Sequence, residues 1–387
     1  MKRIGMILLT LWSTGHCFAQ KITSDKSKEI SELINAYEKL ERFNGAILVA
    51  KGDRIIYQAG AGFSNVEHQE RNKANGLFRI YSITKTFTST VIFKLIEQKK
   101  LTLDDRLDKF FPGFPKGDSI TIENLLTHTS GIYDYTHGND MPDESEASFI
   151  KFLFAKPLEF PPGKGWSYSN SGYWLLGFII QKITGKTYEE TVKEYVFQPL
   201  HMNESGFDFK PLTHPDKTTG YEVFSPSLKK SSVDIDPPGP FAAGAIYSSV
   251  QDLYKYFKGV LAHELISQQS LDKAWTASSN EHYGYGWQLD NYNGKRVMYH
   301  GGGGPGFRSN FSMIPEDSSC VILLSNNENS DLNALTRVLY NVLYDQPYKI
   351  PYEQPVEAQQ LHRYEGYYQM EQFVIRIGVE DGRIFAQ

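Results

Sequence analysis

The sequence predicts an α+β fold: an antiparallel β-sheet flanked by the two terminal helices, with a mainly helical lobe inserted between its halves. Three observations carry that expectation. A helix and a hairpin open the folded chain, a hairpin and a helix close it, and the stretch between, about residues 85–285, is rich in helical segments and irregular loops. With 387 residues, 40% apolar and 14% aromatic, there is material for one large core or two lobes sharing an interface.

Residues 27–42 carry Ile30, Leu33, Ile34, Tyr37 and Leu40 at the spacing of an amphipathic helix. Gly45 to Ala50, a break at Lys51-Gly52-Asp53 and Arg54 to Tyr57 then form a hairpin. Phe78-Arg79-Ile80 is a short strand, and Phe87, Val91 and Leu95 mark the helix after it. Residues 138–148 and 207–240 are polar, contain Pro and Gly, and read as loops. Phe307 to Ile314, a turn at Pro315-Glu316-Asp317 and Cys320 to Leu324 form the second hairpin. Leu332, Leu335, Val338, Leu339, Val342 and Leu343 follow at helical spacing. The tail, 351–387, holds Phe373 to Ile377 and a turn at Asp381-Gly382, the first hairpin of a small β module that stops early.

Residues 1–19 read as a signal peptide: Lys2 and Arg3, an apolar stretch from Ile4 to Trp12, then Cys17-Phe18-Ala19 as a cleavage site. The main domain is then 20–350, and the product is periplasmic or secreted. His16 stands where a lipid-attachment site wants a small residue, which argues against an anchor at Cys17. Losing Lys2 and Arg3 takes the formal charge from −5 to −7. The mild acidity argues against a nucleic-acid partner, which needs a basic face. No internal run is long and apolar enough to span a bilayer. Cys320 is the remaining cysteine, so no disulfide forms within the exported chain, and its apolar neighbours make it a buried small hydrophobe.

Four Ser-x-x-Lys pairs occur, but only Ser82/Lys85 opens an apolar helix directly after a strand. There the hydroxyl and the amine share one face, free backbone N–H groups favour a developing negative charge, and a lysine held out of water can act as a base. The same pair reads equally as a helix N-cap followed by a solvated lysine. Tyr168-Ser169-Asn170, between Pro161-Pro162-Gly163 and Gly172 to Gly177, enters a helix from a loop. Beside a cationic Lys85 the Tyr168 phenol is expected to have a lowered pKa and to shuttle a proton. Asn170 can orient the lysine and donate to a substrate carbonyl, although a packed tyrosine satisfied by backbone also fits. His300-Gly301-Gly302-Gly303-Gly304-Pro305-Gly306 contains G-x-G-x-x-G, but a strand follows it, so a dinucleotide fold does not fit. Glycines leaving the strand Arg296 to Tyr299 let a substrate backbone lie close and leave an N–H free for an oxyanion. Ten scattered histidines with one exported cysteine form no metal set, and neither cofactor nor metal is expected. His128 is expected to fix its loop by hydrogen bonds.

Taken in order, Ser82-x-x-Lys85, Tyr168-x-Asn170 and His300-Gly301-Gly302 resemble the three active-site elements of the serine β-lactamase and penicillin-binding-protein superfamily, in its class C β-lactamase, DD-peptidase and esterase branch. Leu125 to Gly131, Phe197 to Met202, Ala243 to Leu253 and Tyr283 to Trp287 look like further segments of that family. The resemblance implies that Ser82 is the acylated nucleophile and that Lys85 and Tyr168 are a coupled base and acid. It implies that Asn170 holds Lys85 and the substrate, and that the N–H groups of Ser82 and Gly303 form an oxyanion hole. His300 would take the place of the β-lactamase lysine. It offers less charge at neutral pH, so weak β-lactamase activity is expected, with preference for esters or amides, D-residue peptides included. The substrate would be a small molecule or peptide, cell-wall-derived among the options. The other reading is a penicillin-binding sensor or scaffold with little turnover.

Overall fold

The computed structural model describes residues 25–386 except 53, 139–144, 224–228, 232–239, 281, 355, 371–373 and 381. The expected signal peptide with Cys17, Phe373 and Asp381 of the tail, and parts of the two expected loops lie outside the described residues.

Six strands form one antiparallel sheet. In spatial order they are Arg54–Ala61, Gly45–Lys51, Ser319–Ser325, Phe307–Ile314, Lys295–Gly304 and Gln288–Tyr292. The two expected hairpins therefore meet at the sheet's centre, where Ile47 faces Leu323 and Val49 faces Val321. The strands Gly45–Lys51 and Ser319–Ser325 are buried on each face, which suits their unbroken apolar runs. On one face Ile47, Val49, Val321 and Leu323 pack against Ile30, Leu33 and Ile34 of the Lys26–Lys39 helix. Leu335 and Leu339 of the Leu332–Leu343 helix join the same cluster. The alternate residues Ala46, Leu48, Ile322 and Leu324 face the second, larger core, which extends into the helices Thr84–Glu97, Asn170–Thr184 and Val250–Leu261. The period-two alternation of the strands thus joins both terminal helices and the helical stretch to one sheet. Cys320 is buried in that larger core.

A short pairing of Phe78–Arg79 with Tyr247–Ser248 ties the start of the helical stretch to its far end. The stretch expected as a loop at 207–240 carries a small pairing of its own, Tyr221–Val223 with Lys229–Ser231. In the tail, Val374–Glu380 and Arg383–Ala386 form the expected hairpin, and Gly366–Gln369 adds a strand in front of it. Among the described residues no helix is long and apolar enough to cross a membrane.

Candidate active site

Ser82 sits in a 3₁₀ turn, Tyr81–Ile83, just before the Thr84–Glu97 helix. The cap positions of the turn and of the helix are Ile80 and Ile83, so Ser82 is not the N-cap that the sequence also allowed. Tyr81 enters the turn at φ +44°, a backbone region that costs a non-glycine residue roughly 1–3 kcal/mol. The strand Lys295–Gly304 holds the turn in place. A Cβ on Gly302 would lie 2.1 Å from the Ile80 carbonyl oxygen, and one on Gly304 would lie 2.4 Å from the Tyr81 ring. The glycines thus lie within the strand rather than beyond it, as the sequence had suggested. Their absent side chains make room first for the Ser82 turn.

Lys85 is 0% exposed, which excludes a solvated charge. Its Nζ lies 3.0 Å from Ser82 Oγ, 2.8 Å from Asn170 Oδ1 and 2.8 Å from the Ala243 carbonyl oxygen. Burial lowers its pKa to about 7, against the opposing pull of the Asp134 carboxylate. At neutral pH a large share of this amine carries a lone pair.

Tyr168 corrects an expectation. Its pKa is raised, because burial outweighs the hydrogen bond with Ser82 that lowers it. The lowering expected from a cationic neighbour is missing because Lys85, with its pKa near 7, has already lost its proton at the pH where a phenol titrates. Nζ stands 4.8 Å from the centre of the Tyr168 ring. The phenol is therefore a neutral proton donor at working pH. The ring is seated on His128, whose centroid is 4.4 Å away, and His128 Nδ1 accepts from the Ser169 N–H at 3.0 Å. His128 does fix its loop, and it also seats Tyr168.

His300 is 1% exposed, and its Nε2 lies 3.2 Å from the Tyr283 hydroxyl. Burial, with Lys85 nearby, lowers its pKa to about 3, so it is neutral at pH 7. The Gly301 N–H donates to Gln288 Oε1 at 3.2 Å. Alternation along a strand turns the Gly303 N–H to the same edge, beyond Tyr299, where pairing with Gln288–Tyr292 ends. Ser82, Tyr168, His300 and Gly301–Gly303 line one cleft of about 550 Å³. The six residues singled out in the sequence thus converge, with Lys85 and Asn170 just behind the wall.

Four contributors were not legible as site residues. Asp134 accepts from the Asn170 N–H at 2.5 Å, Tyr283 meets His300, Ala243 meets Lys85, and Arg308 lines the cleft. Asp134 and Arg308 stand in no short motif. Ala243 and Tyr283 lay in segments that resembled the family but offered no chemistry of their own.

The six-stranded sheet, with Ser82 on the cleft wall and the buried Lys85 behind it, defines a β-lactamase/transpeptidase-like fold. The chain belongs to the Beta-lactamase family, whose model matches residues 30–343. PbpX of Bacillus subtilis (strain 168), whose name assigns it provisionally to the penicillin-binding proteins, is 30% identical over 326 residues, 80% of this chain and 79% of that one. Penicillin-binding protein 4* of the same organism is 29% identical, covering 79% of this chain and 72% of its own. Among solved structures, a penicillin-binding protein from Bacillus halodurans superposes with a TM-score of 0.69 at 27% identity, covering 81% of this chain and 97% of that one.

Proposed function

We propose that this protein is an exported serine hydrolase that forms an acyl-serine intermediate on esters or amides, D-residue peptides among them, and acts only weakly on β-lactams. The observation that carries the reading is the buried amine 3.0 Å from Ser82 Oγ with its pKa near 7. A neutral amine has two N–H donors and one lone pair. With the donors on Asn170 Oδ1 and the Ala243 carbonyl, the lone pair is left for the Ser82 hydroxyl proton.

In this mechanism Oγ attacks the carbonyl carbon as Lys85 takes its proton. The N–H groups of Ser82 and Gly303 receive the oxyanion. The tetrahedral intermediate collapses, the bond to the leaving group breaks, and the neutral Tyr168 phenol protonates the departing atom. Lys85 returns a proton to Tyr168. Water then attacks the acyl carbon by the reverse exchange and frees Ser82.

Charge supports the substrate preference. The buried His300 supplies no cation at neutral pH, and Arg308 and Asp331 line the cleft with opposite signs. A substrate carboxylate gains little net attraction there. The name of a solved structure with the same fold, a D-amino acid amidase from Ochrobactrum anthropi (TM-score 0.71, 23% identity, covering 83% of this chain and 99% of that one), accords with an amide substrate.

The test is a panel of p-nitrophenyl esters, D-Ala peptides and a cephalosporin, assayed on the parent and on Ser82→Ala. Esters or D-Ala peptides should be cleaved faster than the cephalosporin, and none by Ser82→Ala. Faster cephalosporin cleavage overturns the substrate preference. Turnover by Ser82→Ala overturns the mechanism, and a stable adduct without turnover replaces the enzyme by a sensor.

A further inference from the structure

We propose that Asp134 is a positioning residue of this site: its carboxylate locks the Asn170 amide so that the oxygen, rather than the nitrogen, faces Lys85, and it supplies the negative charge that offsets the buried amine. The proposal rests on the acyl-serine reading and deepens it.

Asp134 is 2% exposed, and both of its carboxylate oxygens accept hydrogen bonds. One oxygen, Oδ2, accepts from the Asn170 backbone N–H at 2.5 Å and from Asn170 Nδ2 at 3.2 Å. The other, Oδ1, accepts from the Thr136 N–H and the Thr136 hydroxyl, both at 2.8 Å. The same Asp134 side chain caps the Tyr135–His137 turn. Asn170 then has only one way to lie. Its Nδ2 faces the carboxylate, so its Oδ1 accepts from Lys85 at 2.8 Å. A flipped amide would set an oxygen against a carboxylate and an N–H donor against the amine, leaving two buried groups unpaired. One Nδ2–H remains for a substrate carbonyl.

The groups facing Lys85 come from every neighbouring element. Ser82 faces it from its own turn, Tyr168 from the loop and Tyr173 from the Asn170–Thr184 helix. Lys85 also interacts electrostatically with the imidazoles of His128 and His300. Burial keeps both imidazoles well below their ordinary pKa, so they are neutral at pH 7. Tyr168 and Tyr173 are likewise held neutral by burial. Asp134 is the charge that favours the ammonium, against the larger opposing effect of burial. Removing that charge disfavours the ammonium, so the amine loses its proton at lower pH. A less basic amine is also a weaker general base.

The experiment is the pH profile of kcat/KM and kcat for a neutral p-nitrophenyl ester on the parent, Asp134→Asn and Asp134→Glu, with folding followed by circular dichroism. Asp134→Asn should move the acid limb down by about one pH unit, lower the plateau kcat and leave KM within about twofold, since KM reports uniform binding. Asp134→Glu keeps the charge but displaces the oxygen, so its limb should stay while kcat falls. Should Asp134→Asn not fold, Asp134→Ser keeps an oxygen able to cap the Tyr135–His137 turn and carries the same expectation. An acid limb unmoved in a folded, uncharged variant overturns the proposal and leaves Asp134 a structural residue. In that case loss of activity in Ser82→Ala would still uphold the acyl-serine reading. Activity in Ser82→Ala would remove the reading itself.

Discussion

At the residue scale the pH profile turns on Lys85. Below its pKa of about 7 the amine is an ammonium with no lone pair, and above it the base form prevails. We therefore expect kcat/KM for a neutral ester to rise with pH through about 7 and level off above it, measured by initial rates between pH 5 and 9. A profile flat across that window contradicts Lys85 as the base. Lys85→Ala and Tyr168→Phe should each lower kcat by about 10²–10⁴-fold, the usual worth of a general acid–base group. A tenfold effect or less contradicts their roles. His300→Lys should raise turnover of carboxylate-bearing substrates relative to neutral ones. Equal relative rates refute the charge argument. The sequence made Ser82 and Lys85 visible as a pair, because spacing on a helix is local. It could not give the direction of the Tyr168 shift. That direction depends on how much water the fold removes from the phenol, and no motif records this.

At the element scale the site depends on how closely the Ser82 turn meets the strand Lys295–Gly304. Gly302→Ala would place a Cβ 2.1 Å from the Ile80 carbonyl oxygen and 2.4 Å from Ser309 Oγ. Backbone on one side leaves no cheap relief, so we expect a loss of about 1–3 kcal/mol in stability and a larger loss of kcat as the nucleophile shifts. Gly301→Ala meets nothing nearer than 3.7 Å and serves as the control. It should melt within a degree or two of the parent, by ordinary surface-substitution behaviour at about ±0.5 kcal/mol. Equal effects of the two substitutions in thermal melts would contradict the close-packing account. Much of this architecture was readable. The Gly45–Ala50 and Cys320–Leu324 runs announced strands of two hairpins, and the terminal helices showed their apolar stripes. The glycine run was read as the exit from a strand because glycine is a poor strand former. Close approach of a neighbouring turn overrides that preference, and such an approach is a long-range fact.

At the scale of the whole molecule, we expect chemistry and tail to be separable. Every residue placed at the site lies between Ser82 and Asp331, whereas Gly366–Gln369, Val374–Glu380 and Arg383–Ala386 form a sheet of their own. Deleting residues 351–387 should therefore leave ester turnover within about threefold of the parent. Such a deletion far from the chemistry carries little coupling to it. A loss of a hundredfold or more would tie the tail to catalysis. The central claim is that Ser82 becomes transiently acylated. Its most direct measurement is mass spectrometry of the protein quenched with acid during turnover of a p-nitrophenyl ester, followed by peptide mapping. The account predicts an acyl group on the Ser82 peptide that disappears once substrate is exhausted, and none in Ser82→Ala. Steady turnover with no acyl group on Ser82, or with equal turnover in Ser82→Ala, would contradict it.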